Sequence, residues 1–133
     1  VGERRGVTWI NDSKATNVGA AVAAIEGLPG TLVLIAGGDG KGAEFGPLRT
    51  ALSGRARAAV LLGRDREALA AALAGVCPTV LVDDMDEAVA AAAGLARAED
   101  TVLLSPACAS LDMYANYAAR GEAFAAAVGR LDE

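Results

Sequence analysis

Of the twelve basic residues in this 133-residue chain, only Lys14 and Lys41 are lysines; the other ten are arginines. A lysine ammonium is a compact charge on a flexible stem, suited to meeting a carboxylate or phosphate oxygen. Lys14 lies in the run Asn11-Asp12-Ser13-Lys14-Ala15-Thr16-Asn17, which holds two of the chain's three asparagines. Lys41 closes the run Gly37-Gly38-Asp39-Gly40-Lys41. A third polar run reads Ser105-Pro106-Ala107-Cys108-Ala109-Ser110-Leu111-Asp112. Together they offer ammonium groups, hydroxyls and loop amides, the donor set that receives an anion.

Each run follows an apolar, strand-like stretch, at 6–10, 31–36 and 101–104. Further strands are expected over 58–62 and 79–82. Helices are expected over 17–26, 47–52, 66–74, 85–96 and 119–131, the first with Val18, Val22 and Ile25 on its apolar face. Residues 1–3 and 6–10 flank Arg4-Arg5 and read as a short hairpin. The alternation predicts one α/β domain over 1–133: a doubly wound, mostly parallel, Rossmann-like sheet with helices on both faces and an antiparallel N-terminal edge hairpin. The three polar runs then all leave C-terminal strand ends, on one edge of the sheet, with helix N-termini directed toward them.

Each run also has a plainer reading. Asn11-Asp12-Ser13 is good turn and helix-cap chemistry, Gly-Gly-Asp-Gly suits a tight turn, and Ser105 or Ser110 could cap the next helix. The coincidence of both lysines with a serine-rich turn on one edge favours a site. Lys41 is not a Walker A lysine: Gly42 follows it, and the residue five before Gly40 is Ile35 where that motif needs glycine. Asp83-Asp84-Met85-Asp86-Glu87 reads as a capped, acidic first turn. Cys108 and Trp9 read as packing residues, and Arg64 and Asp65 as weak site candidates on the same edge.

Composition narrows the rest. Histidine is absent, which removes imidazole catalysis and His-containing metal sites. A net charge of −5 without a basic stripe argues against nucleic acid. The apolar runs are shorter than the ~20 residues of a membrane span. Two widely separated cysteines fit a reducing compartment. The start, Val1-Gly2-Glu3-Arg4-Arg5, has neither an initiator Met nor a signal-peptide core, and is expected to belong to a longer protein.

The three runs, in this order and spanning nearly the whole chain, resemble the signatures of the Mur ligase C-terminal domain, in the branch of the family that adds D-glutamate. The resemblance implies an ATP-dependent ligase that joins D-glutamate to UDP-N-acetylmuramoyl-L-alanine through an acyl-phosphate, in peptidoglycan precursor synthesis. It implies that this domain presents D-glutamate and completes the ATP site. The UDP-binding and central ATP- and Mg2+-binding domains have no counterpart here, so the isolated chain is expected to be inactive. Carried over residue by residue, Thr16, Lys41, Ser110 and Leu111 contact D-glutamate, helped by backbone near Tyr117, where relatives often carry Phe. Lys14 lies beside the reacting centre. Asp12, with Asn11, reaches the nucleotide. The protein is expected to be cytoplasmic and monomeric. Two other readings stay open at this point: a stand-alone binding or regulatory module for a small acidic metabolite, and the same domain of a Mur ligase adding another amino acid.

Overall fold

The structure, a computed structural model, describes residues 2–4, 6–40, 44–109 and 114–131. Eleven elements follow one another: β1 (Gly2–Arg4), β2 (Val7–Asn11), α1 (Val18–Glu26), β3 (Leu32–Gly37), α2 (Gly46–Leu52), β4 (Ala56–Leu62), α3 (Arg66–Leu73), β5 (Thr79–Leu81), α4 (Met85–Leu95), β6 (Thr101–Leu104) and α5 (Tyr117–Gly129). They form one sheet in the order β1-β2-β6-β3-β4-β5. Among the described strands, β1 pairs antiparallel with β2 and the other strand pairings are parallel.

Period-two alternation sorts the strand side chains onto two faces. Leu32, Leu34 and Ala36 of β3, Ala59 and Leu61 of β4 and Leu103 of β6 pack with Ile25, Leu48, Leu52, Leu69 and Leu73 from α1, α2 and α3. Val33, Ile35, Val60, Val102 and Leu104 turn to the other face, against Met85, Val89, Phe124 and Val128 from α4 and α5. Burial on both faces explains why these strands read as unbroken apolar runs. Trp9 joins the second core, with its ring centroid 6.2 Å from that of Phe124.

The expected doubly wound sheet and edge hairpin are both present. Element ends differ in instructive ways. The hairpin strand includes Arg4, which pairs with Val7, while Val1 and Arg5 lie outside the described residues. β4 begins at Ala56, two residues before the expected start, because the charged Arg57 finds a carboxylate partner in Asp100. α5 begins at Tyr117, not residue 119, because Asn116 caps it by accepting the Ala119 N–H at 2.8 Å. Asn17 likewise caps α1 from outside the helix. On α1 the buried pair is Ala21 and Ile25, and Val22 is only half-buried. Asp84 caps α4, with Asp86 and Glu87 in its first turn, as the acidic run predicts.

Candidate functional site

Strand order brings the three polar runs together. β6 lies between β2 and β3, so the loops after these strands leave adjacent points of one sheet edge. β3 and β6 also flank the point where the winding reverses, the usual ligand crevice of a doubly wound sheet. Backbone hydrogen bonds then stitch the loops. The Asp12 N–H donates to Leu104 O at 2.8 Å, and the Ala107 N–H to Ala15 O at 2.9 Å. The Gly37 N–H donates to Pro106 O at 3.0 Å, and Asp39 and Ala109 exchange bonds of 3.0 and 2.9 Å.

Side chains complete the first loop. Asn11 donates its amide to Gly121 O at 3.2 Å and accepts the Ser13 N–H at 3.1 Å. The Asp12 carboxylate accepts the Ser105 hydroxyl at 2.9 Å, fixing one of its oxygens. The Lys14 side chain is therefore carried by a braced backbone while the residue itself stays exposed. Thr16 is half-buried, and its N–H bonds Lys14 O at 2.8 Å.

The glycine loop is braced from the turn between β4 and α3. The Asp65 carboxylate accepts the Gly40 N–H at 2.6 Å, and the Asp65 N–H donates to Gly38 O at 3.0 Å. Arg64 reaches Asp39 at 3.5 Å on the exposed side. Arg64 and Asp65, weak site candidates from sequence, thus hold the loop that leads to Lys41. Gly37 has φ +132°, and a Cβ there would lie 1.8 Å from Leu62 O, so no other residue fits. In the third loop the buried Ala107 adopts φ +61°, an uncommon conformation for a residue with a side chain. Cys108 is fully buried in the core, as its packing reading predicts.

A shallow recess of about 380 Å³ opens beside the first loop, lined among others by Asn11, Asp12, Lys14, Tyr117, Gly121 and Glu122. It gathers four of the predicted site residues; Thr16 is not among its lining. Lys41, Ser110 and Leu111 lie outside the described residues. A somewhat larger recess of about 440 Å³ is lined by Arg4, Val7, Trp9 and Leu131, away from all three polar loops, and holds no predicted site residue. Among the described residues, no cluster of three or more Cys, Asp or Glu could hold a metal ion, and no helix is long and apolar enough to cross a membrane.

Sequence reasoning missed Arg120. It is 2% exposed on the inner face of α5, and its guanidinium donates to Cys108 O at 3.0 Å, Ser13 O at 3.2 Å and Gly37 O at 3.4 Å. The signal was present: Arg120 falls in register with the buried Phe124, Ala127 and Val128, so a charge sits on the apolar helix face.

Comparison with known proteins gives the chain's relatives. Residues 1–108 match the family described as Mur ligase, glutamate ligase domain. The chain is 62% identical over 135 residues to the UDP-N-acetylmuramoylalanine–D-glutamate ligase of Pseudomonas putida, covering 98% of this chain and 30% of that protein. The corresponding ligase of Nitrosococcus oceani is 61% identical over 128 residues, covering 95% and 28%. The chain therefore spans under a third of these relatives' length. A crystal structure of a domain assigned to a UDP-N-acetylmuramate:L-alanyl-gamma-D-glutamyl-medo-diaminopimelate ligase from Haemophilus ducreyi superposes with a TM-score of 0.59. It is 19% identical, with 92% of this chain and 93% of that one covered, and supports the fold.

Proposed function

We infer function from family: the chain belongs to the Mur ligase family, as its C-terminal glutamate ligase domain. Within a longer protein it serves an ATP-dependent ligase that joins D-glutamate to UDP-N-acetylmuramoyl-L-alanine in cytoplasmic peptidoglycan precursor synthesis. This domain presents D-glutamate and completes the nucleotide site, and ATP with Mg2+ is held mainly by another domain. The observation that carries the reading is the convergence of the loops after β2, β3 and β6 on one sheet edge. D-glutamate is a dianion, and such a ligand needs ammonium groups, hydroxyls and backbone amides converging from different segments. The identity to D-glutamate ligases across nearly the whole chain favours this reading over a free-standing metabolite-binding module or a sister ligase.

In this reading Thr16, Lys41, Ser110 and Leu111 hold the amino acid, with backbone near Tyr117. Lys14, on its braced loop, meets the developing charge at the reacting centre. Asp12 contributes to the nucleotide from a carboxylate already oriented by Ser105. Asn11 engages both ends of its amide within the protein, so its share in the nucleotide site is to hold the loop that bears Asp12.

Lys41→Ala in the full-length enzyme tests the assignment. A charge-assisted contact is worth ~1.5–3 kcal/mol, so KM for D-glutamate should rise about tenfold to hundredfold, with a far smaller change in KM for ATP. Lys41→Arg should recover only part, since a planar fork does not replace a compact ammonium. A folded Lys41→Ala enzyme with unaltered D-glutamate KM and kcat would remove Lys41 from the carboxylate site. The domain by itself should show no ATP hydrolysis in a phosphate-release assay.

A further inference from the structure

We propose that Arg120 is the positioning residue for the D-glutamate site: a buried clasp that sets the three substrate loops against one another. The assignment rests on the functional reading above and adds a residue that contacts no substrate. A single guanidinium reaches Ser13 O, Gly37 O and Cys108 O, which lie 107, 83 and 12 residues away in the chain. These carbonyls belong to the first, second and third polar loops respectively. Ser13 immediately precedes Lys14, Gly37 opens the glycine loop that ends at Lys41, and Cys108 lies two residues before Ser110.

The chemistry favours arginine at this point. Burying a cation is costly unless it is hydrogen-bonded, and three carbonyl dipoles meet its two terminal nitrogens here. A guanidinium presents its donors on separate nitrogens in a rigid plane, whereas a lysine gathers them on one atom. The three carbonyls lie on both terminal nitrogens: Nη1 serves Gly37 and Cys108, and Nη2 serves Ser13. The next residue adds to the clasp. Gly121 O accepts the Asn11 amide, and a Cβ on Gly121 would lie 2.5 Å from Ser13 Oγ, so the first loop seats directly against α5. Packing alone would ask only for an apolar residue at position 120. A charged one that spans three loops fits a need for mutual registry.

The test uses the full-length ligase and the variants Arg120→Lys and Gly121→Ala, with KM measured separately for D-glutamate, ATP and the UDP-linked acceptor. Misplacing substrate-holding groups by about 1 Å can cost ~10²-fold, so Arg120→Lys should raise KM for D-glutamate by about tenfold or more. KM for the UDP-linked acceptor should stay within about twofold of wild type, because that substrate is held by another domain in this reading. A merely structural residue would lower the folded fraction and leave all three KM values of the remaining folded enzyme alone. A folded Arg120→Lys enzyme with D-glutamate KM within twofold of wild type would overturn the assignment. Should Arg120→Lys not fold, Gly121→Ala displaces the first loop against the same clasp, and the same split in KM is expected; its absence overturns the assignment equally. Wild-type enzyme without D-glutamate-dependent phosphate release would instead overturn the functional reading itself, and the clasp with it.

Discussion

Two arginines, at opposite ends of the sheet, each donate to three backbone carbonyls. Arg120 does so at the C-terminal edge, and Arg55 at the N-terminal edge, bonding Ile25 O at 3.1 Å, Gly30 O at 3.1 Å and Leu28 O. The partners differ in kind. Those of Arg55 fall within one short stretch, the C-terminal end of α1 and the turn after it, where helix carbonyls lack intrahelical partners. Those of Arg120 come from three loops far apart in sequence. Arg55 is half-buried, and Arg120 is almost wholly buried. One edge is closed locally, as any helix end must be. The other is organised across the chain, which is required only where separate segments must meet at fixed distances.

Glycines sharpen this contrast most strongly. Gly37 at the C-terminal edge and Gly54 at the N-terminal edge both have positive φ. A Cβ on Gly37 would meet Leu62 O at 1.8 Å, but one on Gly54 meets nothing within 4 Å. Gly37→Ala therefore combines backbone strain with a backbone clash and should cost about 4 kcal/mol or more. Gly54→Ala carries only the conformational term, about 1–2 kcal/mol. Urea melts of the two variants measure both. Equal losses would mean that the two edges tolerate backbone change alike.

The arginines give a smaller and more selective effect. Arg55→Met leaves three carbonyls at a partly exposed helix end, where water can replace some of the lost bonds, so about 1–3 kcal/mol of stability should go. No Arg55 contact touches a polar loop, so KM for D-glutamate should hold in the folded variant. A D-glutamate KM raised as far as that expected of Arg120→Lys would erase the functional distinction between the edges.

How much of this could be read from the chain differs between the edges in the same way. The sheet was legible because β3, β4 and β6 are unbroken apolar runs separated by alanine-rich helices. That the three loops share one sheet edge followed from parallel strands alone, whereas their adjacency depends on β6 lying between β2 and β3. Local capping was legible where type and position coincide, as at Asp84. It was missed at Asn116, because the two residues after it, Tyr117 and Ala118, are exposed and carry no apolar periodicity. Arg120 and Arg55 escaped because a side chain that bonds carbonyls needs no partner of complementary type: any residue has a carbonyl. Only the apolar register of α5 marks Arg120. Arg57 escaped for a different reason, since its partner Asp100 is 43 residues away and the two meet through strand order.

That ion pair supplies the smallest expected effect and the cleanest separation of stability from function. Asp100 sits at the start of β6 on the N-terminal edge, nearly buried, with its carboxylate gripped by Arg57 at 2.5 and 3.0 Å and by the Arg97 N–H at 2.9 Å. The Arg57 hydrogen bonds hold its carboxyl below the usual range against the opposing effect of burial. A lowered native pKa means that the folded state binds the proton less readily than the unfolded chain does. The stabilisation is therefore complete above the unfolded-state value of ~3.9 and is lost as pH falls from there through the lowered native value. Asp100→Asn has no such proton to take up. Wild type should be the more stable at pH 7 and pH 5, and the gap attributable to this group should narrow below about pH 4. Urea midpoints at pH 7, 5, 4 and 3 follow the gap directly. At pH 7 the D-glutamate KM of the variant should match wild type, since the pair lies at the edge away from the polar loops. A gap that stays constant from pH 7 to pH 3 would show that Asp100 acts through neutral hydrogen bonding alone, and a changed KM would tie the N-terminal edge to the polar loops.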